Sequence, residues 1–345
     1  RIRPPLPRVA GGLVNRAAGA PAMAGAGGCR AGRVLLLPLA PLPGRTPARF
    51  MSMRMRMRMR IFALAALLLL SLPTGAQPAL RATQLAEFAD GLAQPHDAAF
   101  SPDGRLIYLT DMRNSRIQVL EAMTLKPVGS FGAGELSHPH DAEFDQSGRL
   151  LVADTGNDRV AIYDIKGAQA RLVGELKGLA GPEGVAVMPD GRVLVSNTRS
   201  ATFSLFRDGR LVQTAGGPGS GDGELRNPHD VEVAGDGTVY VVDSGNNRVQ
   251  VFDAALRHRA SFGAALGLNG PKYLAIDGDR VWLADEYNHR ILLLDRDHRL
   301  LGVLGSGKRG RTADAFHKPE AVLARAPFVW VIDTYNDRVV LLRID

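Results

Sequence analysis

The chain is 345 residues long and carries 42 lysines and arginines against 35 aspartates and glutamates, a formal net charge of +7. Such a balance points to nucleic acid or an anionic membrane only when it is spread over the working domain. Here residues 1–76 hold twelve arginines and no acid, so 30 basic face 35 acidic residues in the remainder, which argues against an RNA-binding face.

Residues 1–50, rich in Pro, Gly, Ala and Arg, read as an upstream or disordered extension. From Met51 the run MSMRMRMRMR is a basic start, IFALAALLLLSL is an apolar core, and Thr74-Gly75-Ala76 offers small residues for cleavage. Residues 51–76 are therefore expected to be a secretory signal peptide, with an uncleaved anchor as the alternative. The mature protein is expected to begin near Gln77, to be periplasmic or secreted, and to keep no membrane span. The single cysteine, Cys29, falls in the first segment, so residues 77–345 exclude a disulfide framework, a thiolate metal site and a cysteine nucleophile. No linker divides them.

Thr83–Phe88 (TQLAEF) is a strand-like run outside any repeat. Six repeats follow, opened by Pro95, Pro139, Pro182, Pro228, Pro271 and Pro319, a period of 43 to 48 residues. The clearest, Asn227–Asp253, has an alternating segment (HDVEV), a glycine turn, an apolar β-branched run (TVYVVD), a corner of the form Asp-x-x-Asn-x-Arg, and a third alternating strand with Val249 and Val251 on one face. The corner recurs as Asp111, Asn114, Arg116; Asp154, Asn157, Arg159; Asp285, Asn288, Arg290; and Asp333, Asn336, Arg338. The third unit departs, with Ser196 read at the Asp position and Ala201 in place of the Arg.

Repeats of this length with several short strands each predict an all-β fold, a six-bladed β-propeller of four-stranded blades over residues 77–345. The last unit stops after its third strand, so the N-terminal run Thr83–Phe88 is expected to pair beside Val339–Ile344 and close the ring. The glycine-rich loops at 132–136, 216–225 and 305–316 lead into no helical pattern, which makes them turns rather than phosphate cradles.

The residue after each opening proline reads His96, His140, Glu183, His229, Lys272, Glu320 around the ring. A propeller's first strands line its central channel, so these side chains are expected to converge. His96, His140 and His229 with Glu183 and Glu320 form a candidate divalent-metal set, zinc favoured and calcium compatible. The alternative is a polar lining of a wet channel. Asp97, Asp141 and Asp230 either orient the imidazoles or bond nearby backbone.

The repeat, with its opening proline, Asp-Gly turn and Asp-x-x-Asn-x-Arg corner, resembles the NHL repeat from about Ala82 to Asp345. Pro-His-Asp is also similar to the segments that carry the zinc histidines in the propeller of the peptidylglycine alpha-amidating lyases, which cleave alpha-hydroxyglycine peptides to an amide and glyoxylate. That resemblance implies zinc on His96, His140 and His229, and a role in the chemistry for the tyrosines two places after the corner Asp, Tyr287 and Tyr335. Two functions stay open at this point. One is a monomeric exported scaffold binding a peptide, glycan or protein at its loop face; the other is a metal-dependent lyase or hydrolase with Tyr287 or Tyr335 as base.

Overall fold

A computed structural model describes residues 77–345; the expected extension (1–50), the expected signal peptide (51–76) and Cys29 lie outside the described residues. The repeats fold into six four-stranded antiparallel sheets, five of them with strands in chain order. The repeat from Asn227 shows why. Pro228–Val233, Val239–Asp243, Arg248–Phe252 and His258–Phe262 are its strands, joined first by a tight turn in which Gly237 takes φ 85°. That left-handed angle is open to glycine at no steric cost.

Alternation then sorts side chains between two cores. Tyr240, Val242, Val249 and Val251 pack toward the fifth blade, while Val239, Val241 and Phe252 pack toward the third. A sheet buried on both faces needs an almost continuous apolar run, and TVYVVD supplies it. Six such apolar cores lie between neighbouring blades, including one that joins Ile107, Leu109 and Leu120 of blade 1 to Trp330, Ile332 and Leu341 of blade 6.

The corner motif ties each blade together. In blade 4, Asp243 Oδ1 accepts the Arg226 N–H at 2.6 Å, and Oδ2 accepts from Asn246 Nδ2 at 2.8 Å and from Arg248 Nε at 2.7 Å. Between the Asp and the Arg runs a single 3-10 turn, Ser244–Asn246, capped by Asn247 in the left-handed region. The same arrangement holds at Asp111, Asp154, Asp285 and Asp333. In blade 3 the corner residue is Asn197 rather than Ser196, with Ser200 and Thr202 at the Asn and Arg positions. Asn197 Oδ1 still accepts a backbone N–H, from Ala180 at 3.2 Å, and its amide donates to Ser204 Oγ at 2.9 Å, so the blade keeps its corner without the ion pair.

Ring closure is as expected. Ala82–Phe88 pairs antiparallel with Arg338–Ile344, Ala82 opposite Ile344 and Phe88 opposite Val339. Ala86 and Phe88 pack on the core shared by blades 6 and 1, and Glu87 takes an ion pair from the buried Arg338 at 3.0 Å. Among the described residues no helix is long and apolar enough to cross a membrane.

Candidate functional site

In five blades the inner strand opens at the proline, opposite the corner residue, and in blade 6 it opens two residues after Pro319, at Ala321, so the residue after each proline lies at the end where the corner turns also sit. In five blades the pairing of inner and second strand slips between the proline and the residue three further on, a β-bulge repeated around the ring. A bulge suspends the two-residue alternation. Consecutive residues can then both face the axis, and the channel acquires two polar tiers where strict alternation predicts one.

The upper tier divides into two arcs. In one, His96 and His140 meet edge to face with ring centroids 4.4 Å apart, and His96 Nε2 lies 3.2 Å from Glu320 Oε2. Each ring directs Nδ1 to the backbone carbonyl two residues before it, Gln94 at 3.3 Å and His138 at 2.8 Å. A carbonyl only accepts, so these bonds put the ring proton on Nδ1 and leave Nε2 a lone pair. Burial, first among the causes, lowers both imidazoles to about 3, and burial raises the Glu320 carboxyl. A carboxyl pushed toward its neutral form by burial therefore faces a neutral imidazole, and Glu320 Oε2 has no hydrogen-bond partner there.

In the second arc Lys272 Nζ stands 2.7 Å from His229 Nε2, and His229 Nδ1 stands 2.5 Å from Glu183 Oε2. An ammonium has only hydrogens to offer, so His229 accepts at Nε2 and turns its N–H toward Glu183. Despite the short separation neither atom completes a hydrogen bond. Burial works to raise the Glu183 carboxyl, yet His229, His140 and Lys272 together hold it down at about 2. From Lys272 the charges continue outward: Glu286 Oε2 at 3.4 Å, then Lys318 Nζ 3.2 Å from Glu286 Oε1.

Lys318 reaches the surface between two half-exposed rings, 4.3 Å from the centroid of Tyr287 and 4.6 Å from that of Tyr335. Burial, followed by Glu320 and Glu286, raises the Tyr335 phenol to about 12, which keeps it protonated and a hydrogen-bond donor at neutral pH. Sequence reasoning missed Glu286 and Lys318. The available signal was at the position after the corner Asp, where Thr155, Thr198 and Ser244 each donate a hydroxyl to the next blade's proline carbonyl. Glu286 cannot donate, and it links blades 5 and 6 through Lys318 instead.

The lower tier is acidic. Asp141 Oδ2 accepts the Val185 N–H at 2.6 Å and Asp230 Oδ2 accepts the Leu274 N–H at 2.9 Å, each from the next blade. The aspartates therefore bond backbone and leave the imidazoles to the carbonyls. Burial and mutual repulsion raise Asp97 and Asp230, and burial raises Asp141. Below them Glu143 is raised to about 8 by burial and by Asp141. Glu143 and Glu232 line a cavity of about 360 Å³ at the opposite mouth, with Arg325 on its wall. A larger cavity, about 610 Å³, lies away from the channel, between Asn246–Arg248 and Ala264–Leu268.

The structure thus brings His96, His140 and Glu320 together and sets His229 with Glu183 and Lys272. Among the described residues no group of three or more His, Cys, Asp or Glu side chains is placed to hold a metal ion. At His229 the Lys272 ammonium occupies the lone pair that a metal would need. A metal that uses His229 would have to displace that lysine.

The NHL repeat profile matches residues 225–252, and the strictosidine synthase-like N-terminal profile matches residues 168–197. No curated protein matches the chain. Among solved structures, virginiamycin B lyase from Staphylococcus aureus, a catalytically inactive form with quinupristin, is 11% identical with a TM-score of 0.55, covering 77% of this chain and 99% of that one. Hydrazine synthase of Kuenenia stuttgartiensis is 16% identical with a TM-score of 0.55, covering 75% and 98%. An auxiliary nutrient binding protein from Bacteroides ovatus is 13% identical with a TM-score of 0.59, covering 78% of each chain. At such identities the likeness concerns the fold. Together with six sheets in a ring and a matching repeat, it identifies this chain as an NHL-type six-bladed β-propeller.

Proposed function

We propose that the protein is an exported propeller that binds a ligand, a peptide, glycan or protein segment, at the channel mouth bearing the corner turns. The observation that carries this reading is the contrast at that mouth. Two half-exposed tyrosines stand over a ring of buried, charged and neutral hydrogen-bonding groups. Aromatic faces supply contact area while a few fixed polar groups supply specificity, the usual composition of a ligand site. The same scaffold carries a nutrient-binding protein and lyases in other organisms, so the fold does not choose between these roles.

A thermal-shift screen of peptides, glycans, amines and carboxylates against the purified protein tests the proposal. A ligand that raises the midpoint of the wild type and not of the Tyr287→Ala/Tyr335→Ala variant supports it. A hit that ignores that change sends the ligand elsewhere on the surface. Export is tested by N-terminal sequencing of the secreted form, expected to begin near Gln77.

A second reading, a metal-dependent lyase, is favoured by one observation: Glu183 Oε2 and Glu320 Oε2 are buried without a hydrogen-bond partner. His96, His140, His229 and a carboxylate would be the donors to zinc once Lys272 leaves His229, and the metal would supply a Lewis acid at the mouth. Elemental analysis of the untagged protein, wild type beside Lys272→Met, decides it. Metal absent from both after supply removes the lyase reading and leaves binding intact.

A further inference from the structure

The environment of Lys318 is that of a bound cation rather than of a surface lysine. Its ammonium lies against both tyrosine faces and 3.2 Å from Glu286 Oε1, and Glu286 is only 1% exposed. The second oxygen of that carboxylate, Oε2, is buried, makes no hydrogen bond, and lies 3.4 Å from Lys272. The rings are held in place by the backbone. A side chain at Gly270 would put its Cβ 2.3 Å from the Tyr287 ring, so the absence of one makes the ring's seat. His317 packs edge to face on Tyr335 and directs Nδ1 to the Tyr335 carbonyl at 3.0 Å. The Lys318 N–H donates to His289 Nδ1 at 3.0 Å, which fixes the root of the lysine.

Two electron-rich faces above a buried carboxylate make a receptor for an organic cation, whose diffuse charge is cheap to desolvate. We propose that the cleft of Tyr287, Tyr335 and Glu286 is a site for a ligand bearing an alkylammonium group, and that Lys318 is its tethered occupant, displaced when ligand binds. This deepens the reading of the mouth as the ligand face and rests on it. A tethered ammonium competes at an effective concentration in the millimolar range. The wild type is therefore tuned to ligands that gain further contacts in the channel, and it rejects simple amines.

The test is isothermal titration of tetramethylammonium and of N-acetyl-lysine methylamide into the wild type, Lys318→Ala and Lys318→Met. A neutral isostere of choline, 3,3-dimethylbutan-1-ol, serves as control, and unchanged thermal midpoints establish folding. The variants are expected to bind one or both cations about tenfold more tightly than the wild type. Adding Tyr287→Ala or Glu286→Gln should abolish that gain, and the neutral isostere should not bind. Preference between the two cations tells a quaternary ammonium ligand from a lysine side chain. The proposal is overturned if both folded variants bind no cation, or bind cation and isostere alike. In that event a screened ligand still dependent on the tyrosines leaves the binding function standing without the cage.

Discussion

Glu143 makes the acidic tier testable by one substitution read at two pH values. Its carboxyl is raised from 4.5 to about 8, first by burial and then by repulsion from Asp141. A carboxyl raised in the folded state contributes stability that is complete below its unfolded value and is lost as pH climbs through the folded one. At pH 7.5, keeping the proton against an unfolded value of 4.5 costs about 4 kcal/mol. The side chain is only half-buried at the lower mouth, so water there reduces the cost to about 2 kcal/mol. Glutamine has the shape of the protonated acid and never ionises. Glu143→Gln should therefore match the wild type at pH 4.5 and exceed it by about 2 kcal/mol at pH 7.5, near 4 °C in midpoint for a domain of this size. Thermal unfolding followed by circular dichroism at both pH values measures this. A difference that is the same at the two pH values would refute the reasoning, since only ionisation distinguishes them.

Other outcomes follow from the same geometry. Arg338→Ala strands the buried Asp333 carboxylate and releases Glu87, and should cost about 3 to 5 kcal/mol in urea unfolding. Deleting residues 77–91 removes the strand that closes blade 6, uncovers part of a core, and should lower the midpoint far more than loss of a frayed end would. His96 and His140, lowered to about 3, should show ring proton shifts that stay flat from pH 8 to pH 5 by NMR. For these histidines the unfolded state binds more protons between pH 6.5 and 3. Stability therefore rises with pH across that window, and His96→Gln should flatten the rise.

The fold was legible because its determinants repeat. Five copies of an Asp-x-x-Asn-x-Arg corner and a missing fourth strand are visible without coordinates, and both resolve as read. Blade 3 was misaligned by one place because Ser196 and Asn197 are both plausible turn residues, and pairing register, unseen in the sequence, decides for Asn197. At the site, the ring of residues after the prolines was legible, but its division into arcs was not. That division depends on which side chain reaches which neighbour, and an ordinary-looking lysine, Lys272, determines it. The second polar tier was hidden for another reason. Alternation is the rule used to assign strand faces, and a bulge repeated in five inner strands breaks it.

Pairing of Ala82–Phe88 with Arg338–Ile344 also sets an order in time. Thr83 bonds the Asp345 carboxylate across 262 residues of chain, so the first of the described strands to be synthesised waits for the last of them before it has a partner. Closing a loop that long costs about 5 kcal/mol of chain entropy, regained only when the final contacts form. Five blades can therefore assemble while the sixth remains an open edge. The Asp345 N–H already meets the Arg81 carbonyl at 3.1 Å, so a short linker there could make the closing pair a covalent hairpin. Opening the chain instead at the turn after Phe252 would then turn the slowest pairing into a local one, while the mouth kept every residue that lines it.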